Sequence, residues 1–182
     1  MSWEELLAIA GSQHGYFTAR QAAELGISRR ALAWRAGRAF VDRPGYGLYR
    51  LAHWPIEAND ELYELQARAP FGTFSHETAL SLLGLSDIIP SAIHFTIPES
   101  SRFGPRPGVR LHRSRHLADR DRIFRDGLWI SAALRALQDS ARIGSDPDQL
   151  LEAAREAKAR AMLTNEDMAR LSEHRLFRRA GL

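Results

Sequence analysis

The chain has 182 residues, no cysteine and a formal net charge of +3, and 45% of its residues are hydrophobic. This is the composition of a globular protein with a substantial core, and without cysteine the chain forms neither disulfides nor thiolate metal sites. Because no apolar run approaches the roughly 18 residues of a membrane span and the acidic N-terminus does not resemble a signal peptide, we expect a cytoplasmic protein.

Charge is segregated along the chain. Residues 1–56 contain seven arginines and four acids, whereas residues 57–101 contain one arginine and seven acids. Residues 102–125 contain eight arginines and two acids, and the charges of the remaining segment balance. Segregated charge creates local electric fields, so both basic segments are candidate surfaces for an anionic partner.

The chain begins with three predicted helices. Apolar spacing predicts a helix over residues 2–12. Thr18 and Gln21 have the spacing of a capping box, which predicts the start of a second helix. Ser28 is the predicted N-cap of a third helix that ends near residue 37.

The second and third helices have the spacing of a helix-turn-helix motif. Ala22 is small enough to let the two helices approach each other, and Gly26 follows four residues later, where a left-handed turn is needed. Leu25, Ile27 and Leu32 are then expected to fill the space between the helices.

A hairpin is predicted directly after the third helix. The strand-like runs AFVD and GLYRL flank Arg43-Pro44-Gly45, which is typical of a turn, so Arg43 is expected at the hairpin tip. A helix-turn-helix followed by a hairpin is the winged variety. The sequence therefore predicts a winged helix-turn-helix domain over residues 1–55.

The third helix is predicted to present a basic face. With Leu32 facing the core, a rotation of about 100° per residue directs Arg30 and Trp34 outward. No acid occurs between Glu24 and Asp42, although a merely solvated helix usually interleaves acids with arginines. Guanidinium groups bind phosphates and guanine edges. The residues predicted to bind DNA are Ser28, Arg29, Arg30, Trp34, Arg35, Arg38 and Arg43.

Residues 56–182 are predicted to form a second, mixed α/β domain with a small sheet and C-terminal helices, which makes the chain α+β. Helices are predicted over 59–69 and 75–85, and strands over 91–97, 109–113 and 123–131, the last with a hairpin turn at Asp126-Gly127. Three further helices are predicted to begin after Ser131, Asp146 and Thr164.

The arginine-rich segment 102–125 has two interpretations of equal weight. It extends the DNA footprint or receives acidic residues of a protein partner, or else it pairs internally with the acidic helix around 57–64. The arginines proposed for this second basic surface are Arg102, Arg106, Arg110, Arg113 and Arg115.

No assembled active site is predicted. Ser75 and Glu77 are explained by capping and by the helix dipole, so Ser75-His76-Glu77 is not expected to be catalytic. His112 and His116 are four residues apart, but on a strand followed by a loop this spacing does not predict a zinc site. We expect no enzymatic activity, no metal and no cofactor.

The stretch GYFTARQAAELGISRRALAWRAGRAFVDRPGYGLYRL (15–51) resembles the N-terminal winged-helix domain of the AbiEi-type antitoxins of type IV toxin–antitoxin systems. The resemblance continues in SHETALSLLGL (75–85) and more loosely in GLWISAALRALQDSAR (127–142). It implies an antitoxin that binds double-stranded DNA at its own promoter, at an inverted repeat, and represses its own operon. It also implies a partner toxin resembling a nucleotidyltransferase.

Two other functions remain open from the sequence. One is a winged-helix transcriptional regulator whose α/β domain senses a small ligand. The other is a protein-binding module in which the winged helix is purely structural.

Overall fold

The structure is a computed structural model that describes residues 2–87, 90–115 and 118–181. Two compact units make up the chain: residues 1–70 with the turn at 126–128, and residues 71–125 with 129–182. No described helix combines the length and the hydrophobicity that a membrane span requires.

The first unit combines helices with a three-stranded antiparallel sheet of order β1-β3-β2. Its helices are α1 (Trp3–Ser12), α2 (Ala19–Glu24), α3 (Arg29–Ala36) and α4 (Asp60–Arg68). Its strands are β1 (Tyr16–Thr18), β2 (Val41–Gly45) and β3 (Leu48–Leu51). The predicted caps of α2 and α3 are confirmed, because Thr18 and Gln21 form a reciprocal capping box and Ser28 caps α3.

One apolar cluster joins α1, α2 and α3 to this sheet. Its buried members are Leu6, Ala10, Phe17, Ala22, Leu32, Val41 and Tyr49. Leu25 and Ile27 pack against it from the turn between α2 and α3, as predicted. Strand β1 was not predicted, because three residues are too few to show an alternating pattern and its partner β3 lies much later in the chain.

Helix α4 belongs to the first unit, so the boundary predicted after residue 55 falls inside this unit. The Tyr16 hydroxyl donates to Asp60 Oδ2 at 2.7 Å, and the buried Arg50 donates to Asp60 Oδ1 at 3.3 Å. Burial and the hydrogen bond to Asp60 raise the pKa of Tyr16 far above its ordinary value. These bonds connect residues far apart in sequence, whereas the prediction relied on the local break at Pro55.

The second unit is built on a mixed sheet of order β6-β5-β4-β8-β7. Its strands are β4 (Thr73–Phe74), β5 (Ile93–Pro98), β6 (Val109–Ser114), β7 (Arg122–Arg125) and β8 (Leu128–Ser131). Strand β5 runs parallel to β6 and antiparallel to β4, and β4 runs parallel to β8. The predicted Asp126-Gly127 turn connects β7 to β8, and both of its residues have positive φ.

The second unit also contains helices. They are α5 (His76–Leu82), α6 (Ala133–Arg142), α7 (Pro147–Ala159), α8 (Asn165–Ser172) and α9 (Arg175–Arg179). Helix α5 packs against β5 of this sheet, and helix α6 packs against α5, α7 and α8. Asp146 and Thr164 cap α7 and α8 as predicted. Helix α9 was missed, because five residues are too short to establish a helical period. The mixed α and β character of the chain is confirmed.

Candidate nucleic-acid interface and a histidine cluster

A tight turn joins α2 to α3. Gly26 has φ of +75°, a conformation that glycine adopts without the steric cost of a Cβ atom. The Ile27 amide donates to the Ala22 carbonyl at 2.8 Å and folds the chain back on the end of α2. Because Leu32 is fully buried against α1, α2 and the sheet, α3 has a fixed orientation and its opposite face is free.

That opposite face is basic and exposed. Arg29 and Arg30 are exposed at the start of α3. The hydroxyl of the exposed Ser28 accepts a hydrogen bond from the Ala31 amide at 3.2 Å. Among the described residues, no carboxylate pairs with Arg29 or Arg30. The last acid before α3 is Glu24, and it already pairs with Arg20 through a 2.8 Å contact. The described residues therefore supply no carboxylate that neutralises the charge of Arg29 or Arg30.

Trp34 lies at the centre of an exposed aromatic and basic group. The side chain of Trp34 is 52% exposed, and its ring stacks on that of Phe40 with 6.5 Å between centroids. The Arg38 guanidinium lies 3.9 Å from the Trp34 ring centre. A cation over an aromatic face is oriented by that contact while its N–H edge stays available. Trp34 therefore positions Arg38 on the surface.

Arg35 differs from the other arginines of α3. It is half-buried, and its guanidinium lies 4.2 Å from the ring centre of Trp3 in α1. This contact assigns Arg35 to the packing of α3 on α1. The sequence predicts that Arg35 binds DNA, and it does not reveal this contact because the position of Trp3 depends on tertiary packing.

The predicted position of Arg43 at the hairpin tip is wrong. Gly45 pairs with Leu48, so Tyr46 and Gly47 form the turn, and Tyr46 is 87% exposed. The register shifts between Asp42 and Gly45, which places Arg43 and Pro44 in a bulge within β2. Proline has no amide to donate and is tolerated at such a bulge, while the positive φ of Gly47 suits the turn. Arg43 is exposed on the side of the hairpin.

Two arginines of the second basic segment, Arg113 and Arg115, bind the loop that follows β5. The Arg113 guanidinium donates to the carbonyls of Glu99, Ser101 and Phe103, the shortest bond being 2.7 Å. Arg115 pairs with the Glu99 carboxylate at 2.6 Å. These bonds stabilise the turn-rich segment between β5 and β6.

The remaining predicted members of that surface have different surroundings. Arg102, Arg106 and Arg110 are exposed, and the Arg106 guanidinium lies 5.2 Å from the Phe103 ring centre. The acids proposed as internal partners of this segment have partners in the first unit. Glu57 pairs with His14, Asp60 with Arg50, and Glu64 with Arg68.

Three histidines that are distant in sequence meet in the second unit. His76 begins α5, His94 lies on β5 and His112 lies on β6. One ring nitrogen of each lies within 4.8 Å of those of the other two. His112 Nε2 is 3.1 Å from His94 Nδ1, and the rings of His76 and His112 stack with 3.7 Å between centroids. The sequence did not predict this cluster, and His116 lies outside the described residues.

Ser75 takes part in this cluster and does not cap α5 as predicted. Its hydroxyl lies 2.9 Å from His76 Nδ1 and accepts a hydrogen bond from Thr96 Oγ1 at 2.7 Å. His76 itself has φ of +53°. A positive φ of this kind costs a residue with a Cβ atom about 1–2 kcal/mol. The backbone is therefore strained at His76, where the side chain enters the cluster.

Burial favours the neutral form of all three histidines by lowering their pKa values. Removal from water lowers the pKa of His76 to about 3 and that of His112 to about 4, and the neighbouring histidines add to both shifts. Burial also lowers the pKa of His94, although the nearby Glu77 carboxylate opposes this shift. Neutral imidazole is the form that binds metal ions.

Comparison with known proteins concerns the first unit. Residues 4–52 match a protein family described as transcriptional regulator, AbiEi antitoxin. No curated protein matches the chain significantly.

Proposed function

We propose that this chain is a DNA-binding antitoxin that represses its own operon, because residues 4–52 match the family described as transcriptional regulator, AbiEi antitoxin. The exposed face of α3 is the observation that carries the proposal. Arg29, Arg30 and Arg38 have no ion-pair partner among the described residues. The phosphates of double-stranded DNA supply the missing counter-charge.

The first unit acts as a winged helix-turn-helix in this proposal. Helix α3 enters the major groove, where Arg29 and Arg30 at its start reach base edges or phosphates. The β2–β3 hairpin lies beside the adjacent backbone, with Arg43 on its side and Tyr46 at its tip. The order of helices, turn and antiparallel hairpin in the chain supports this placement.

The antitoxin role extends beyond DNA. This role is based on the family that residues 4–52 match, and its partner is a toxin resembling a nucleotidyltransferase. The second unit and its exposed Arg102 and Arg110 are available for such a partner.

A binding titration tests the DNA-binding part. The full chain is titrated into a labelled duplex from the region upstream of its own gene and into a shuffled duplex of equal length. We expect affinity for the upstream duplex to be higher by about 10³-fold or more, and both affinities to fall as salt rises. Absence of salt-sensitive binding to the upstream duplex would contradict the proposal.

Coexpression tests the antitoxin part. A neighbouring gene for a nucleotidyltransferase-like protein is expressed with and without this chain, and growth is measured. We expect growth arrest that this chain relieves. Specific DNA binding without a toxic neighbour would instead indicate a regulator of another kind, such as one that senses a ligand.

A further inference from the structure

The histidine cluster consists of side chains that the fold brings to one place from three elements. On the parallel pair β5–β6, Thr96 lies opposite His112 and His94 lies two residues before Thr96, so the two histidines share one face. The Ser75 amide donates to the His94 carbonyl at 3.0 Å, and the His94 amide donates to Thr78 Oγ1 at 2.9 Å. These bonds attach the start of α5 to β5 and hold His76 beside the sheet.

The spacing of the ring nitrogens suits a tetrahedral metal ion. A zinc ion with Zn–N bonds of about 2.0–2.1 Å holds two ligand nitrogens about 3.3 Å apart. The nitrogens His94 Nδ1 and His112 Nε2 are 3.1 Å apart, and one ring nitrogen of each of the three histidines lies within 4.8 Å of those of the other two. Two ligands are therefore already at the required separation.

Ser75 orients the third ligand. With His76 Nδ1–H donating to the Ser75 hydroxyl, the lone pair of His76 Nε2 is left for a metal ion. Such a hydrogen bond to the second ring nitrogen is the usual support of a metal-binding histidine. The Ser75 side chain makes no capping hydrogen bond to α5. Its hydroxyl is held by the hydrogen bond that Thr96 Oγ1 donates to it.

We propose that His76, His94 and His112 form a binding site for a divalent transition-metal ion, with zinc as its expected occupant. Three imidazole ligands favour zinc and similar metals, whereas magnesium and calcium prefer oxygen. Three protein ligands leave a fourth position for water or a small anion. Arg110 lies opposite His94 on β6, and its positive charge favours an anion at that position.

Metal entry requires one ring to turn. An ion lies in the plane of each imidazole that binds it, but the rings of His76 and His112 are stacked at an interplanar angle of 21°. A small rotation of the His76 ring, within reach of the Ser75 hydroxyl, opens the stack and leaves the separation of His94 Nδ1 and His112 Nε2 unchanged. The ion would then connect α5, β5 and β6.

The test is titration of the full chain, freed of metal by a chelator, with Co²⁺ and Zn²⁺ separately. We expect one ion per chain by calorimetry, the visible absorption bands of four-coordinate Co²⁺, and a higher thermal midpoint with Zn²⁺. His112→Gln should abolish the Co²⁺ bands, and Ser75→Ala should weaken Zn²⁺ binding by about 10–100-fold. His53→Ala, at an exposed histidine of the first unit, is the matched control and should leave binding unchanged.

Two results would overturn the proposal. One is the absence of stoichiometric Zn²⁺ and Co²⁺ binding by the folded wild-type chain, which depends on no variant. The other is binding that survives His112→Gln with the same Co²⁺ spectrum in a protein whose circular dichroism is unchanged, because this would place the ion elsewhere.

Discussion

At the scale of single residues, neighbouring arginines of α3 have different surroundings. Arg30 is exposed without an ion-pair partner among the described residues, Arg35 lies over Trp3, and Arg38 lies over Trp34. The sequence predicts which way Arg30 faces, because one buried position defines the helix rotation. It does not predict that Arg35 packs on Trp3, since that contact joins α3 to α1.

Arg30→Ala should weaken binding to the upstream duplex by about 1–3 kcal/mol if the guanidinium reads a base. The loss should be smaller for the shuffled duplex, because a base contact contributes only to the specific complex. Fluorescence anisotropy measures both affinities. Arg155→Ala removes the same charge from an exposed position on α7 and serves as the control. An equal loss in both variants would mean that Arg30 has no specific role.

Arg43→Ala should weaken binding to both duplexes alike, because Arg43 is predicted to contact the DNA backbone. The slope of log affinity against log salt should become shallower by about one unit. Titrations at four or five salt concentrations measure this slope. An unchanged slope would place Arg43 away from the phosphates, in keeping with its position within β2 instead of at the tip.

At the scale of elements, short-range signals predicted the helices well and the hairpin less well. The bonds at Thr18, Ser28 and Thr164 that begin helices span three residues, so the sequence displays them directly. The hairpin register depends on which residues of β2 and β3 face the core. Burial of Val41 and Leu48 places the turn at Tyr46-Gly47, two residues beyond the strongest local turn signal.

Gly26→Ala should lower the free energy of unfolding by about 1–2 kcal/mol, because a Cβ atom is strained at φ of +75°. Gly37→Ala is the matched control. Gly37 has φ of −65° and an added Cβ would lie 3.6 Å from its nearest neighbour, so this change should stabilise the protein by about 0.4–1 kcal/mol.

Urea denaturation followed by tryptophan fluorescence measures both variants. The tryptophans at positions 3, 34 and 54 lie in the first unit, so the signal reports mainly on the unit that contains both glycines. Equal destabilisation by the two substitutions would contradict the conformational explanation.

At the scale of the whole molecule, the boundary between the two units lies after residue 70, whereas the sequence predicts it after residue 55. The first unit includes α4 because Asp60 accepts hydrogen bonds from Tyr16 and from the buried Arg50. A fragment that ends at residue 55 would leave both donors without this acceptor. Unpaired buried polar groups are costly, so α4 is a structural part of the unit.

The fragment 1–70 should therefore unfold with a higher free energy than the fragment 1–55, by about 2 kcal/mol or more. Thermal and urea denaturation monitored by circular dichroism provide the comparison. Asp60→Asn within 1–70 keeps the shape of the side chain and removes its charge, and should lose about 1–3 kcal/mol. Equal stability of the two fragments would refute the assignment of α4 to the first unit.

The sequence alone determined the local order: the starts of α2, α3, α7 and α8, the turn between α2 and α3, and the polarity of the α3 face. These features depend on residues no more than about four positions apart, so periodicity and caps reveal them.

Only the tertiary structure decided the partner of β1, the contact of Arg35 with Trp3, the role of Asp60 and the meeting of His76, His94 and His112. Each of these joins residues from separate elements. A local sequence pattern does not indicate which elements pack together. Their packing depends on how all the elements together remove their apolar surface from water.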